Sequence, residues 1–369
     1  MSREGASGFL SAVNVATLLF FLANGIAIVA MPPYLRDLGI SSEAAIGAVV
    51  STAFFVSVVL RPIGGFLGDR VGYVKLMRLG VFFAVIAQVM YLMHNVATVV
   101  VGRLFHGAAI ATFLPASIAA SVREGVSSLA SRSLAVGIGN VLGPLVGSLA
   151  YDAGGAPVSF LLAASLHGVN SVLIGRAPPP SRTGTSIGGR LERRVLTFML
   201  LLTVFAITYM SISTFVPVKL KDRGLPIAFW GAFSSTAAVA SLIPRVFLAR
   251  GPSHINYAVA AVATAAASVG LYLATLAEDL LSFVLAGVIY GLGQGAVVIT
   301  YQVLALAGSR AAGLSSAVYT MGWDLGSIVG PAAAGWVVER AGFSALQLMP
   351  FLLLANVVAL TLLYALRSR

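Results

Sequence analysis

Twelve apolar runs, separated mostly by short polar links, account for nearly the whole chain. They lie at about 9–31, 43–66, 75–94, 97–120, 131–151, 157–175, 194–218, 228–249, 255–276, 280–305, 311–338 and 343–366. Each is close to or above the roughly 20 residues that carry a helix across a bilayer's hydrocarbon core. The pattern predicts an all-α integral membrane protein with twelve transmembrane helices and little mass outside the membrane.

The polar punctuation between the runs repeats. Pro32, Leu35, Asp37 and Gly39 follow the first span as Pro217, Leu220, Asp222 and Gly224 follow the seventh, at an offset of 185. Gly47 and Arg61 answer to Gly231 and Arg245, and Gly107 to Gly295. Gly139, Gly143 and Pro144 answer to Gly326, Gly330 and Pro331. A near-constant offset across four helix pairs implies a six-plus-six duplication, hence two pseudo-symmetric six-helix bundles. Parallel repeats about an axis along the membrane normal are one transporter plan. Residues 177–194 are rich in Pro, Gly, Ser and Arg and offer nothing to bury. They are the expected cytoplasmic linker between an N-terminal bundle, 1–176, and a C-terminal bundle, 195–369.

Composition sharpens this reading. Of 369 residues, 59% are hydrophobic and 9% charged, where a soluble domain carries about a quarter charged. The net charge of +11 raises nucleic acid as a partner, but its distribution speaks for topology. With the N-terminus inside, seventeen Lys and Arg residues (Arg132 among them) fall on the inner side and five on the outer. This positive-inside bias predicts a multi-pass protein of the plasma (cell inner) membrane, both termini cytoplasmic, with no nucleic-acid partner. The absence of cysteine excludes disulfides and thiolate chemistry. No His/Asp/Glu cluster has metal spacing and no nucleotide-binding P-loop occurs. Neither metal, cofactor nor enzymatic activity is therefore expected. The first span reads as a retained helix, since no small-residue cleavage site is evident.

One charged stretch organises the rest: Arg61-Pro-Ile-Gly-Gly-Phe-Leu-Gly-Asp-Arg-Val-Gly-Tyr-Val-Lys-Leu-Met-Arg78. From its residues alone it is a charged hinge whose glycines permit tight turns. It resembles the signature loop of the major facilitator superfamily, roughly G-x-L-x-D-R-x-G-R-K. Gly65, Leu67, Asp69, Arg70 and Gly72 match, while Tyr73 and Val74 stand at basic positions. Its second-half counterpart has decayed to residues 245–254, with Ser253 at the place of Asp69. The run from Arg103 to Ala111 resembles the superfamily pattern R-x-x-Q-G-x-G-A, with His106 in the Gln place. In span five, Gly139, Gly143, Pro144 and Gly147 resemble the antiporter signature of the family's drug exporters, with Ser148 for the last glycine. Small residues four apart also allow plain helix contact, and Pro144 kinks its helix.

An arginine at the depth of Arg103 is costly unless it faces water or a partner. Asp324 is the one acid placed well inside a span. With His106, these are the candidates for proton coupling. Competing readings stay open: Arg103 snorkels outward, Asp324 pairs with a basic group or meets the Asp69 loop, and His106 and His167 are packing residues. The resemblance implies a central cavity lined by spans one, four, seven and ten. Its candidates are Asn14, Asn24, Tyr209, Tyr290, Gln294, Tyr301 and Gln302, each of which alternatively satisfies backbone freed by nearby glycines. It also implies gating by Gly65, Asp69, Arg70 and Gly72, with Asp69 and Arg70 as a latch, and conformational roles for Gly139, Gly143, Pro144 and Gly147. The expectation is a monomeric secondary active transporter that exports a small amphiphilic compound in exchange for protons. Competing expectations are proton symport or facilitated uptake of a sugar, organic acid or other metabolite and, more distantly, a membrane sensor without flux.

Overall fold

The computed structural model describes residues 11–124, 126–174, 192–250, 255–307 and 312–367. Helices fill nearly all of them. In chain order these are α1 (Ala12–Asp37), α2 (Glu43–Val71), α3 (Tyr73–Leu92), α4 (Val96–Glu124), α5 (Val126–Ile174), α6 (Arg193–Asp222), α7 (Ala228–Ala240), α8 (Leu242–Arg250), α9 (Tyr257–Leu276), α10 (Leu280–Leu306), α11 (Ala312–Ala341) and α12 (Leu352–Arg367). A 3₁₀ segment, Phe343–Phe351, leads into α12. The 49-residue α5 is two helices joined across non-helical backbone at Gly154 and Gly155. Helices α7 and α8 are parts of one crossing interrupted at Ser241. Counted this way, the described residues form twelve helical crossings. Ten segments qualify as spans by length and apolarity alone. The merged Ser131–Ile174 holds two crossings, and α11 is diluted by Ser315, Ser316, Thr320, Asp324 and Ser327.

The surface is inverted relative to a soluble protein. Val262, Leu281 and Phe247 are 71%, 66% and 66% exposed, whereas Arg103 is buried at 2%. Large apolar side chains outward and polar groups inward is what a bilayer solvent selects.

The expected link between spans two and three shrinks to one residue. Helix α2 continues through Arg70 to Val71, and α3 starts at Tyr73. Gly72 makes the turn at φ +95°, a conformation strained for any residue with a Cβ. Apolar length alone ends α2 too early, because its last turns are polar but still helical.

Two compact units emerge from the contacts: Met1–Ile40 with Thr52–Gly184, and Ser41–Ser51 with Thr185–Arg369. In the first, α1 packs most extensively on α5, and α3 on α4. A Cβ on Gly143 would lie 2.9 Å from Gly25 Cα, so α1 and α5 meet backbone to backbone. Asn170 Nδ2 donates to Ala16 O at 2.8 Å, and the Tyr34 hydroxyl to Tyr91 O at 2.6 Å.

In the second unit, α6 packs on α11, and α9 on α10. A Cβ on Gly330 would lie 2.7 Å from Ile207 O. Asn356 Nδ2 donates to Leu201 O at 2.7 Å, and Lys219 Nζ to Thr275 O at 2.7 Å. The opening turns of α2 belong here. Glu339 accepts from Ser42 Oγ and Ala44 N, both at 2.9 Å, and so caps α2. Ser51 Oγ donates to Ile328 O at 2.7 Å, and Gly47 and Gly335 close the stripe against Pro331 and Glu43.

Candidate functional site

Arg103 and His106 are three residues apart on α4, a spacing that puts both on one face. Asn24 on α1 and Tyr91 at the end of α3 reach that face. His106 Nε2 lies 2.6 Å from Asn24 Oδ1. That oxygen only accepts, so Nε2 carries the ring proton. Nδ1 then turns its lone pair to the Tyr91 hydroxyl at 3.0 Å and Arg103 Nη1 at 3.5 Å. Tyr91, Arg103 and His106 are all buried, at 0%, 2% and 3% exposure. The guanidinium also lies 5.9 Å from the Phe54 ring centroid, within cation–π range.

The donor pattern dictates what a proton would do. Nδ1 is the only ring position left to take one. Once protonated it donates, and it faces two donors. The Tyr91 hydroxyl can rotate and accept, but a guanidinium has no acceptor. Protonation at Nδ1 therefore drives Arg103 off His106.

The second unit carries aromatic surface instead. Tyr209 on α6 stacks on Tyr290 of α10 at 5.4 Å and 4°. Trp323 of α11 lies 5.9 Å from Tyr209, and Phe205 and Phe233 extend the stack on Tyr290 at 6.4 and 5.5 Å. Tyr209 and Trp323 are half-buried, as are Asp324 and Gln294, while Gln302 is exposed. Such faces suit flat, partly apolar ligands.

Other sequence candidates are taken up by packing. Tyr301, fully buried, shares a hydrogen bond with Thr264 Oγ1 at 2.9 Å and accepts from Asn356 at 3.4 Å. It ties α9, α10 and α12 together. Asn14 donates to Ser128 Oγ at 3.2 Å and accepts from Ser121 Oγ at 3.4 Å, joining α1, α4 and α5. His167 meets the Phe20 ring edge-on at 5.4 Å. Gly139 and Gly147, flanking Gly143 and Pro144, press on Phe21 and Ile26 of α1. Arg70 is exposed; Gly65 and Asp69 lie outside the residues whose side chains are described. Tyr91 went unnamed at the sequence level, since a tyrosine near a span end reads as an interface aromatic.

Helical bundles, outward apolar side chains and a buried intramembrane Arg–His cluster are the marks of a multi-pass membrane protein. The chain belongs to the Major Facilitator Superfamily, whose family model matches residues 13–331. It is 25% identical over 255 residues to the staphylopine export protein of Staphylococcus aureus (strain Mu50 / ATCC 700699), covering 63% of each chain. It is 23% identical over 383 residues to the vesicular acetylcholine transporter unc-17 of Caenorhabditis elegans, covering 94% of this chain and 70% of that one. A third relative, the quinolone resistance protein NorA of Staphylococcus aureus, is 25% identical over 187 residues, 48% of this chain and 47% of NorA. The matches thus span under two thirds of the export protein and about half of NorA. Among solved structures, a bacterial homologue of the human lysosomal transporter Spinster superposes with a TM-score of 0.78 at 13% identity, over 98% of this chain and 97% of that one. The nucleoside transporter NupG gives 0.73 at 16% identity, over 97% and 98%. At these identities the likeness is one of fold.

Proposed function

We propose that this chain is a proton-coupled exporter of a small amphiphilic compound, working by alternating access as a monomer in the plasma membrane with both termini cytoplasmic. The observation that carries the reading is the His106 cluster. Nδ1 is the imidazole position that a proton would take, and taking it would release Arg103. Loading and unloading that proton would bias two arrangements of α1, α3 and α4, which is what coupling requires. Asp324 is a second proton site on this reading, and Asp69 with Arg70 a latch. The stacked faces of Tyr209, Tyr290 and Trp323 favour an amphiphile over a sugar, which needs a dense hydrogen-bond set. Export as the direction is supported by relatives named for staphylopine export and quinolone resistance.

The test is the purified protein in liposomes with an imposed pH gradient and an internal pH dye, challenged with lipophilic cations, sugars and organic acids. Dissipation by an amphiphile moving against the proton is expected, with loss of that coupling in His106→Gln. Proton entry together with substrate would replace export by symport. No flux with any compound, in vesicles proven to hold folded protein, would remove the transport reading.

A further inference from the structure

Arg132 is a buried charge that the reading above leaves without a task. It stands in the first limb of α5, one turn beyond Ser128, and is only 8% exposed. A guanidinium near the end of a span normally reaches out to water along its flexible stem. This one turns inward. Its Nε and Nη2 both donate to one neutral oxygen, Ser117 Oγ on α4, at 3.1 and 2.9 Å. Among the described residues no carboxylate pairs with it and Nη1 has no hydrogen-bond partner.

Among the described residues, the hydrogen-bonded groups around it are neutral. Ser117 Oγ is anchored on Leu114 O at 2.9 Å. One turn further along the same helix faces, Asn14 bridges Ser121 and Ser128 at 3.4 and 3.2 Å. Ser117, Ser121, Asn14 and Ser128 are all at most 3% exposed. A buried cation facing only neutral acceptors is poorly compensated. Its planar fork matches the paired oxygens of a carboxylate or phosphate.

We propose that Arg132, held inward by Ser117, forms an oxyanion subsite within the first unit, which takes the carboxylate or phosphate of a ligand. The source is either an acidic group on a soluble substrate or a lipid headgroup. The inference is independent of transport direction and of proton coupling.

Full-length protein in phosphatidylcholine nanodiscs is titrated with benzoate and with inorganic phosphate at constant ionic strength, and the unfolding midpoint is followed. A saturable rise, with Arg132→Gln needing about tenfold or more anion for the same rise, assigns the subsite to soluble oxyanions. A rise seen only in discs containing phosphatidylglycerol, and lost in Arg132→Gln, assigns it to a headgroup. Ser117→Ala covers an unfolded Arg132→Gln: it keeps the guanidinium, releases two N–H groups and should strengthen the anion response, and an unchanged or lost response in Ser117→Ala overturns the proposal. No response in either disc, or an undiminished response in Arg132→Gln, overturns the proposal and leaves Arg132 as a brace between α4 and α5.

Discussion

The two halves keep the same skeleton and differ in what they hang on it. Asn170 to Ala16 O recurs as Asn356 to Leu201 O, at offsets of 186 and 185. The Tyr34 cap on α3 recurs as the Lys219 cap on α9. Gly143 and Gly330 each press on the opening helix of their own half. The chemistry does not recur. At the offset of 188, His106 becomes Gln294 and Arg103 becomes Gly291; at 185, Asn24 becomes Tyr209. A Cβ on Gly291 would lie 2.8 Å from Ala237 Cα. Where the first half holds a guanidinium, the second closes two backbones together. The contacts that fold each half are kept, while the Arg–His pair stands in the first half alone.

The sharpest break of the shared skeleton is Gly143→Leu. Its new Cβ would meet Gly25 backbone, which cannot yield as a side-chain tip can. Overpacking costs about 1–3 kcal/mol, with the upper end expected where backbone stands in the way. Loss of monodisperse protein on gel filtration is expected. Gly137→Ala, with nothing within 4 Å of its Cβ, is the matched control and should leave the midpoint unchanged or raise it slightly. Normal folding of Gly143→Leu would show that the α1–α5 seam is not close-packed.

The divergent chemistry is tested by His106→Gln. It keeps a polar side chain in the cluster but removes the titratable ring. Substrate-dependent pH-gradient dissipation should fall by about tenfold or more, the scale of losing a positioned proton-transfer group, while the unfolding midpoint stays close to wild type. The double variant His106→Gln/Gln294→His should remain uncoupled, because Gly291 offers no arginine to displace. Recovery of coupling in the double variant would mean that the halves are chemically interchangeable.

Much of this was legible in the chain. The twelve crossings follow from run length, and the duplication from offsets that glycine and proline keep because backbones touch or kink there. Arg103 and His106 stand out because ionisable residues are rare inside a span. Their partners are not marked. Tyr91 reaches His106 only because α3 packs on α4, a register that apolar periodicity does not encode. The same limit runs the other way: Asn14 and Tyr301 look like cavity residues by type, yet both knit helices together. Arg132 reads as one more inner charge until the fold turns it toward Ser117.

A smaller difference separates the paired asparagines. Asn356 donates to both Leu201 O and the Tyr301 hydroxyl, whereas Asn170 has one such bond and its Oδ1 has no partner. Each Ala substitution removes buried hydrogen bonding worth about 1 kcal/mol per bond. Asn356→Ala should therefore lower the unfolding midpoint more than Asn170→Ala. Equal losses would indicate that the Tyr301 bond adds nothing and that the halves are energetically alike here.

The smallest effect tests what the second unit alone takes up, the opening turns of α2. Glu339, one residue beyond the eleventh apolar run, accepts from Ala44 N and Ser42 Oγ. Those hydrogen bonds hold its carboxyl below its ordinary pKa, with Arg340 adding a weaker pull in the same direction. A depressed folded value means that the ionised cap stabilises above the unfolded pKa of about 4.3. That contribution disappears as pH falls through the folded value. Because the group is exposed, solvent screens it and the effect is small. The midpoint of wild type should exceed that of Glu339→Gln at pH 7, and the gap should close as pH falls through the depressed folded value. A gap that stays constant with pH would mean that the carboxylate's charge plays no part, and that the α2 turns are held in the second unit by the Gly47–Pro331 and Ser51–Ile328 contacts alone.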